Sequence, residues 1–132
     1  GADLLAFAAE LDYLVDVLPG TPQTRRLVDA SLLAALPPRA VFINVGRGST
    51  LDELALAEAL RTGRIAGAVR AVFEQEPLPA EHIFWSTPNL LITAHTAALT
   101  IPADSAGLFI ENYRRLVQGA PLKYRVDFER GY

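Results

Sequence analysis

The amino-acid sequence predicts an α/β protein built on a parallel sheet, and two observations carry that prediction. Short apolar segments alternate with helical ones along the 132 residues, and the apolar segments are nearly continuous in hydrophobicity. Strands of that kind are buried on both faces, in sheets whose crossover connections are helices. No repeat, low-complexity tract or linker interrupts the pattern, so a single folding unit, or part of one, is expected.

The elements follow in order. Strands are expected at 12–18, 40–45, 65–69 (running on toward Phe73) and 89–93, each short, apolar or β-branched, and bounded by Pro, Gly, Asn or Thr. A helix over 29–36 must stop at Pro37-Pro38, because proline cannot continue it. A second, over 52–62, carries Leu54, Leu56, Ala57 and Leu60 and ends at Gly63, a residue suited to the left-handed turn after a helix. A third, over 103–118, aligns Ala106, Phe109, Ile110, Tyr113 and Val117 on one stripe before Gly119.

Composition narrows the function classes. Hydrophobic residues make up 51% and charged residues 20%, which argues against disorder. A net charge of −3 provides no basic footprint for nucleic acid or an anionic membrane, and no apolar run reaches the ~18–20 residues of a span. There is no cysteine, and His82 and His95 are the only histidines, so neither disulfides nor a histidine-built metal site is expected. Nothing at the start reads as a signal peptide, and a cytoplasmic location is expected. Methionine is absent even at position 1, so Gly1-Ala2 is expected to be a processed or added end.

Three loops follow predicted strands where ligands of parallel sheets sit. In Asn44-Val-Gly-Arg-Gly-Ser-Thr50 the third glycine of a dinucleotide fingerprint is replaced by Leu51, and no Gly-Lys-Ser/Thr follows. The glycines are therefore expected to allow tight turning and close backbone approach, leaving Arg47 as a planar fork for a carboxylate. Glu76 precedes Pro77 just past a strand, and His95 follows the last strand between small residues. Taken singly, Arg47 reads as a surface arginine, Glu76 as a solvated carboxylate and His95 as a structural imidazole. Together they suit reduction of a carbonyl beside a carboxylate. Arg47 would grip the carboxylate, His95 would protonate the developing alkoxide, and Glu76 would hold the imidazole. No side chain carries a hydride, so this chemistry requires a nicotinamide cofactor. His82 reads as a structural residue of a surface turn.

Further motifs lie in a familiar order: Leu18-Pro-Gly-Thr-Pro-Gln-Thr24, Leu32-Leu-Ala-Ala-Leu-Pro37, Ile43-Asn-Val-Gly-Arg-Gly48, Asp52-Glu53, Phe73-Glu-Gln-Glu-Pro-Leu78, Ile92-Thr-Ala-His95 and Val126-Asp-Phe-Glu-Arg-Gly-Tyr132. With these the chain resembles the C-terminal portion of the D-isomer-specific 2-hydroxyacid dehydrogenases, in the glyoxylate/hydroxypyruvate reductase branch. The resemblance implies half of a Rossmann-type doubly wound parallel sheet. Residues 1–99 would be the C-terminal half of the dinucleotide-binding domain, and 100–132 a helix and tail returning to the substrate domain. It places the family's active-site arginine on Arg47, its acid/base histidine on His95 and the partnering glutamate on Glu76. Leu18, Pro19, Val45 and Gly46 would line the cofactor cleft, with Ala97 and Ala98 near the nicotinamide. The cofactor implied is NAD or NADP, and the substrate a small 2-oxoacid.

Three departures follow from the same resemblance. Arg70-Ala71 stands where the family has Leu-Asp, so the aspartate that contacts the nicotinamide is an alanine here, and Ala94 replaces a proline. The glycine-rich turn and the acidic residue of the second strand are not among the 132 residues. The chain is therefore expected to bind no cofactor and to be inactive by itself. Arg70, a charge within an apolar strand, reads as a guard against unwanted strand pairing, as drift or as a new contact. The strand at 12–18 is expected to be an edge through which two copies pair as a homodimer. Two alternatives stand beside the reductase fragment: a half-domain that self-associates and catalyses nothing, and a binding module that retains a carboxylate pocket around Arg47.

Overall fold

A computed structural model describes residues 2–96 and 98–131, which divide into two compact units at 96/97. In the first, α1 (Ala2–Ala8) leads to β1 (Tyr13–Asp16), α2 (Ala30–Ala35), β2 (Val41–Asn44), α3 (Glu53–Arg61), β3 (Gly67–Arg70) and β4 (Leu90–Ile92). The four strands form one sheet in the order β1-β2-β3-β4, with every pair parallel. All four expected strands are present, each shorter than its apolar segment. Helix α1 has no counterpart in the expectations above, because a seven-residue Ala/Leu/Phe run has too little periodicity to separate helix from strand.

Local chemistry sets the helix ends. Asp29 caps α2 by accepting the Leu32 N–H at 2.9 Å, and the chain turns extended at Leu36 ahead of the two prolines. Asp52 caps α3 through the Ala55 N–H at 3.0 Å, and Gly63 closes it at φ +68°. The core forms where α2 packs between α1 and α3, with Leu32, Leu33, Leu36, Leu56 and Leu60 clustered with Phe42 and Ala68 of the sheet.

One expectation changes here. Along β2 and β3 burial alternates, with Phe42, Asn44, Ala68 and Arg70 buried and Val41, Ile43, Gly67 and Val69 half-exposed. Successive right-handed crossovers that always step the same way across a sheet place their helices on one face. Within the described residues the sheet is therefore fully packed on one side only, not on both.

The second unit holds α4 (Pro102–Val117) and the segment after it. Asn112 exchanges hydrogen bonds with the Lys123 backbone, and Glu111 accepts from Arg115 and Lys123, tying 118–123 back onto the helix. The apolar stripe of α4 is open, with Phe109 and Tyr113 at 73% and 60% exposure. No described helix is long and apolar enough to cross a membrane.

Glycine matters most where strand-end loops touch. A Cβ on Gly48 would lie 1.9 Å from the carbonyl carbon of Phe73, and one on Gly46 2.8 Å from the Leu18 backbone. Gly63, by contrast, faces open space and is constrained only by its positive φ. Gly48→Ala is thus expected to lose about 3 kcal/mol by backbone collision, and Gly63→Ala about 1 kcal/mol by left-handed strain. Urea unfolding of both variants checks that order, and equal losses would refute the packing argument.

Candidate functional site

The site is built where the strands end. Asp16, Asn44 and Arg70 are each the last residue of their strand, stand in one register row, and are all buried. Each uses its side chain to hold the loop that follows. Asp16 accepts the Leu18 N–H at 2.9 Å and a hydrogen bond from the Thr50 hydroxyl. Asn44 accepts the Gly46 N–H at 3.0 Å and donates to the Arg47 carbonyl at 3.2 Å. Arg70 donates to the Val72 carbonyl through Nε at 3.2 Å and Nη2 at 2.7 Å. Buried polar groups need partners, and here loop backbone is among the partners of all three.

The loops also touch one another in strand order. Gly46 lies against residues 17–18, Gly48 against Phe73 and Glu74, and the His95 N–H donates to the Ala71 carbonyl at 2.8 Å. The close approach expected of the two glycines is what they provide. His95 itself adopts φ +48°, which swings its side chain out of line with β4.

Glu76 and His95 meet. Oε2 of Glu76 is 2.8 Å from Nδ1 of His95, while Oε1 accepts the Phe73 N–H at 2.8 Å. The His95 hydrogen bond is the main reason the Glu76 carboxyl sits below the usual carboxylate range; the Phe73 N–H and the charges of His95 and Arg47 add to it, against partial burial. An ionised Glu76 accepts at Nδ1 and leaves Nε2 of His95 for another partner. Arg47 is exposed, with Nη1 on the Gly46 carbonyl at 2.8 Å. It shares no direct hydrogen bond with the pair, and its field reaches Glu76. Beside the pair lies a hollow of about 520 Å³ lined by Phe73, Pro77, Leu78, Trp85 and Ile92.

Of the other expected positions, Leu18, Pro19 and Val45 are half-buried at the strand ends, whereas Gly46 and Ala71 are buried. Ala98 is exposed in the second unit, and Ala97 lies outside the described residues. No group of three or more His, Asp or Glu arranged for a metal occurs among the described residues.

One reading of a charged residue needs revision. Arg70 is no guard of a sheet edge, since β3 is flanked by β2 and β4 and the side chain is fully buried. Its Nη2 pairs with Glu53 at 3.2 Å, and its guanidinium carbon lies 5.2 and 5.3 Å from the ring centroids of Phe73 and Phe84. Burial pulls the Arg70 pKa down and Glu53 opposes that pull. His82 is structural, as expected, but it joins the same cluster: Nε2 lies 3.2 Å from Glu53 and Nδ1 accepts the Phe84 N–H at 3.3 Å. The sequence signal for this cluster was Arg70 itself, a charge within an apolar strand.

A carboxylate with a lowered folded-state pKa contributes stability that is complete above its unfolded pKa and is lost as pH falls through the folded one. Glu76→Gln should therefore be less stable than the parent chain near neutral pH. At 36% side-chain exposure for Glu76 and 55% for His95 the difference is about 0.5 kcal/mol or less. It should close below the ordinary carboxylate range; paired urea titrations at neutral and acid pH measure it, and a gap that persists in acid would contradict the assignment.

Comparison with known proteins gives the chain a family. The family description "D-isomer specific 2-hydroxyacid dehydrogenase, NAD binding domain" matches residues 1–97. Glyoxylate/hydroxypyruvate reductase A of Photorhabdus laumondii is 40% identical over all of this chain. The chain spans 42% of that relative's length. A D-isomer specific 2-hydroxyacid dehydrogenase from Xanthobacter autotrophicus Py2, solved with NADPH and MES, superposes with a TM-score of 0.94 at 46% identity, covering 99% of this chain and 54% of that one. The NADPH-dependent glyoxylate/hydroxypyruvate reductase of Sinorhizobium meliloti, solved with NADP and sulfate, gives 0.92 at 39% identity, over 99% and 43%. The four-stranded parallel sheet is thus of the Rossmann type, and the chain belongs to the D-isomer specific 2-hydroxyacid dehydrogenase family, as a C-terminal part whose residues 1–97 match the family's NAD binding domain.

Proposed function

We propose that this chain is the acid/base-bearing half of the dinucleotide domain of an NADP(H)-dependent reductase acting on small 2-oxoacids of the glyoxylate/hydroxypyruvate type. The contact between Glu76 and His95 carries the reading, because it fixes Nδ1 and frees Nε2 at the carboxyl end of a parallel sheet. The nicotinamide, when bound, supplies the hydride. His95 holds the proton that the new alkoxide takes, at Nε2. Glu76 orients the ring through Nδ1. Arg47, exposed on the neighbouring loop, offers its guanidinium to the substrate carboxylate.

The cofactor fit is uneven. Leu18, Pro19 and Val45 offer half-buried apolar surface at the strand ends, suited to the nicotinamide side of the cleft. Ala71 presents a buried methyl group with no polar atom for a carboxamide. No glycine-rich turn for a diphosphate occurs within the 132 residues. The 132-residue polypeptide alone is accordingly expected to bind NADPH weakly or not at all and to be inactive.

Grafting supplies the test. This chain replaces the matching segment of the Photorhabdus reductase, and NADPH oxidation is followed with glyoxylate and hydroxypyruvate. Activity should appear, fall by roughly 10²–10⁴ in His95→Ala, and lose substrate affinity in Arg47→Ala. A folded chimaera with activity indifferent to His95→Ala would sink the reading.

A second reading concerns the isolated polypeptide. Among the described residues β1 pairs with β2 alone, leaving its other edge open, and Tyr13, Val15 and Val17 beside that edge are 65%, 51% and 68% exposed. Open apolar edges recruit strands, and in a solution of this chain alone the available strand is β1 of a second copy. Light scattering should give a dimeric mass that Val15→Lys reduces to a monomeric one. A monomer at high protein concentration would overturn this pairing.

A further inference from the structure

We propose that Arg70 is a positioning residue for the Glu76–His95 pair, acting with Glu53 as a clamp on residues 72–74. The proposal rests on the reading that Glu76 and His95 work as a unit, and it concerns a residue that stands where the family resemblance expects leucine.

The geometry is a chain of short contacts. Nε and Nη2 of Arg70 both donate to the Val72 carbonyl, so the peptide entering Phe73 is gripped from one side. Nη2 also reaches Oε1 of Glu53 at 3.2 Å, and that same oxygen accepts the Glu74 N–H at 3.2 Å. The peptide leaving Phe73 is thereby tied to the same ion pair. Between the two grips, the Phe73 N–H donates to Glu76, and Glu76 meets His95. Phe73 also lays its ring beside the guanidinium that holds its backbone.

The components suit a rigid support. Arg70 is fully buried and the Glu53 side chain is 13% exposed, so water competes little for either. A planar fork that places two nitrogens on one carbonyl fixes direction as well as distance. Glu53 is held in turn by His82, and Nη1 of Arg70, which has no hydrogen-bond partner among the described residues, belongs to a guanidinium set between two aromatic rings. An apolar side chain at position 70 could fill the space beside Phe73 and Phe84, but it would leave the Val72 carbonyl and Glu53 without this partner. Asp16 and Asn44 hold their own loops from the same register row, and Arg70 is the third member of that row.

A purely structural arginine would change overall stability, whereas a clamp must also change the carboxylate it positions. The test follows the Glu76 and Glu111 side-chain carboxyls of the full chain through pH by carbon-13 NMR. The charged groups facing Glu76 are His95 and Arg47, with Arg70 behind the loop. Glu111, lowered by Lys123 and Arg115 in the other unit, is the internal reference. In Arg70→Met the Glu76 midpoint should rise toward that of an ordinary glutamate while Glu111 stays in place. Arg70→Lys keeps a cation beside Glu53 without the fork, so a rise there reports geometry rather than lost charge, and it serves if the Met variant does not fold. His95→Ala should raise Glu76 whatever residue stands at 70. Glu76 unmoved in folded Arg70→Lys but raised in His95→Ala overturns the clamp and leaves the acid/base pair standing. Glu76 unmoved in His95→Ala overturns the pair itself. Equal movement of Glu76 and Glu111 in the Arg70 variants marks general loosening and overturns the positioning role.

Discussion

Three polar side chains, Asp16, Asn44 and Arg70, end three adjacent strands in one register row and are buried against the helical layer. Desolvating them is costly unless each finds hydrogen-bond partners, and the nearest unpaired backbone is that of the loop each strand leads into. The requirement that buried polar groups be satisfied therefore fixes the loops at the carboxyl edge of the sheet. The rest of the site inherits its geometry from that edge. Without the row the strands could still pair, but the segments that carry Arg47 and Glu76 would lack their anchors.

A second constraint joins the loops laterally. Gly46 and Gly48 let successive loops approach to distances that any side chain would prevent, so the loop after β2 rests on the one after β3. Because backbone rather than side chain makes these contacts, the loops sit in a fixed relation. Arg47 then lies close enough to influence Glu76 without touching it. The histidine is held twice, by its main chain to Ala71 and by its ring to Glu76. Preorganisation of this kind would suit the acid/base role proposed for His95, since such chemistry depends on the aim of the imidazole.

Much of this was legible in the linear chain. Continuous apolar strands between capped helices announce a parallel sheet, and Pro37 and Gly63 mark helix ends because their backbone preferences are local properties. Arg47, Glu76 and His95 could be picked out because each follows a strand, and parallel sheets collect ligands at that edge. The two glycines could be assigned to backbone approach since the phosphate-loop spacing was absent. Other features were not legible. Arg70 looked like an edge device, because a sequence does not say which strand is flanked on both sides. The Glu53–His82–Arg70 cluster joins residues from three segments, and the one-sided packing of the sheet follows from strand order, which no single segment encodes.

By itself, then, the sequence determined what depends on neighbours along the chain: which segments extend, which coil, where each stops, and which functional groups follow a strand. Only the tertiary structure decided what depends on neighbours across it. Parallel pairing put Asp16, Asn44 and Arg70 in one row, and burial obliged each of them to find a partner. The fold of the 73–76 loop brought a carboxylate to the imidazole of His95, a contact between residues 19 positions apart that no local preference could set.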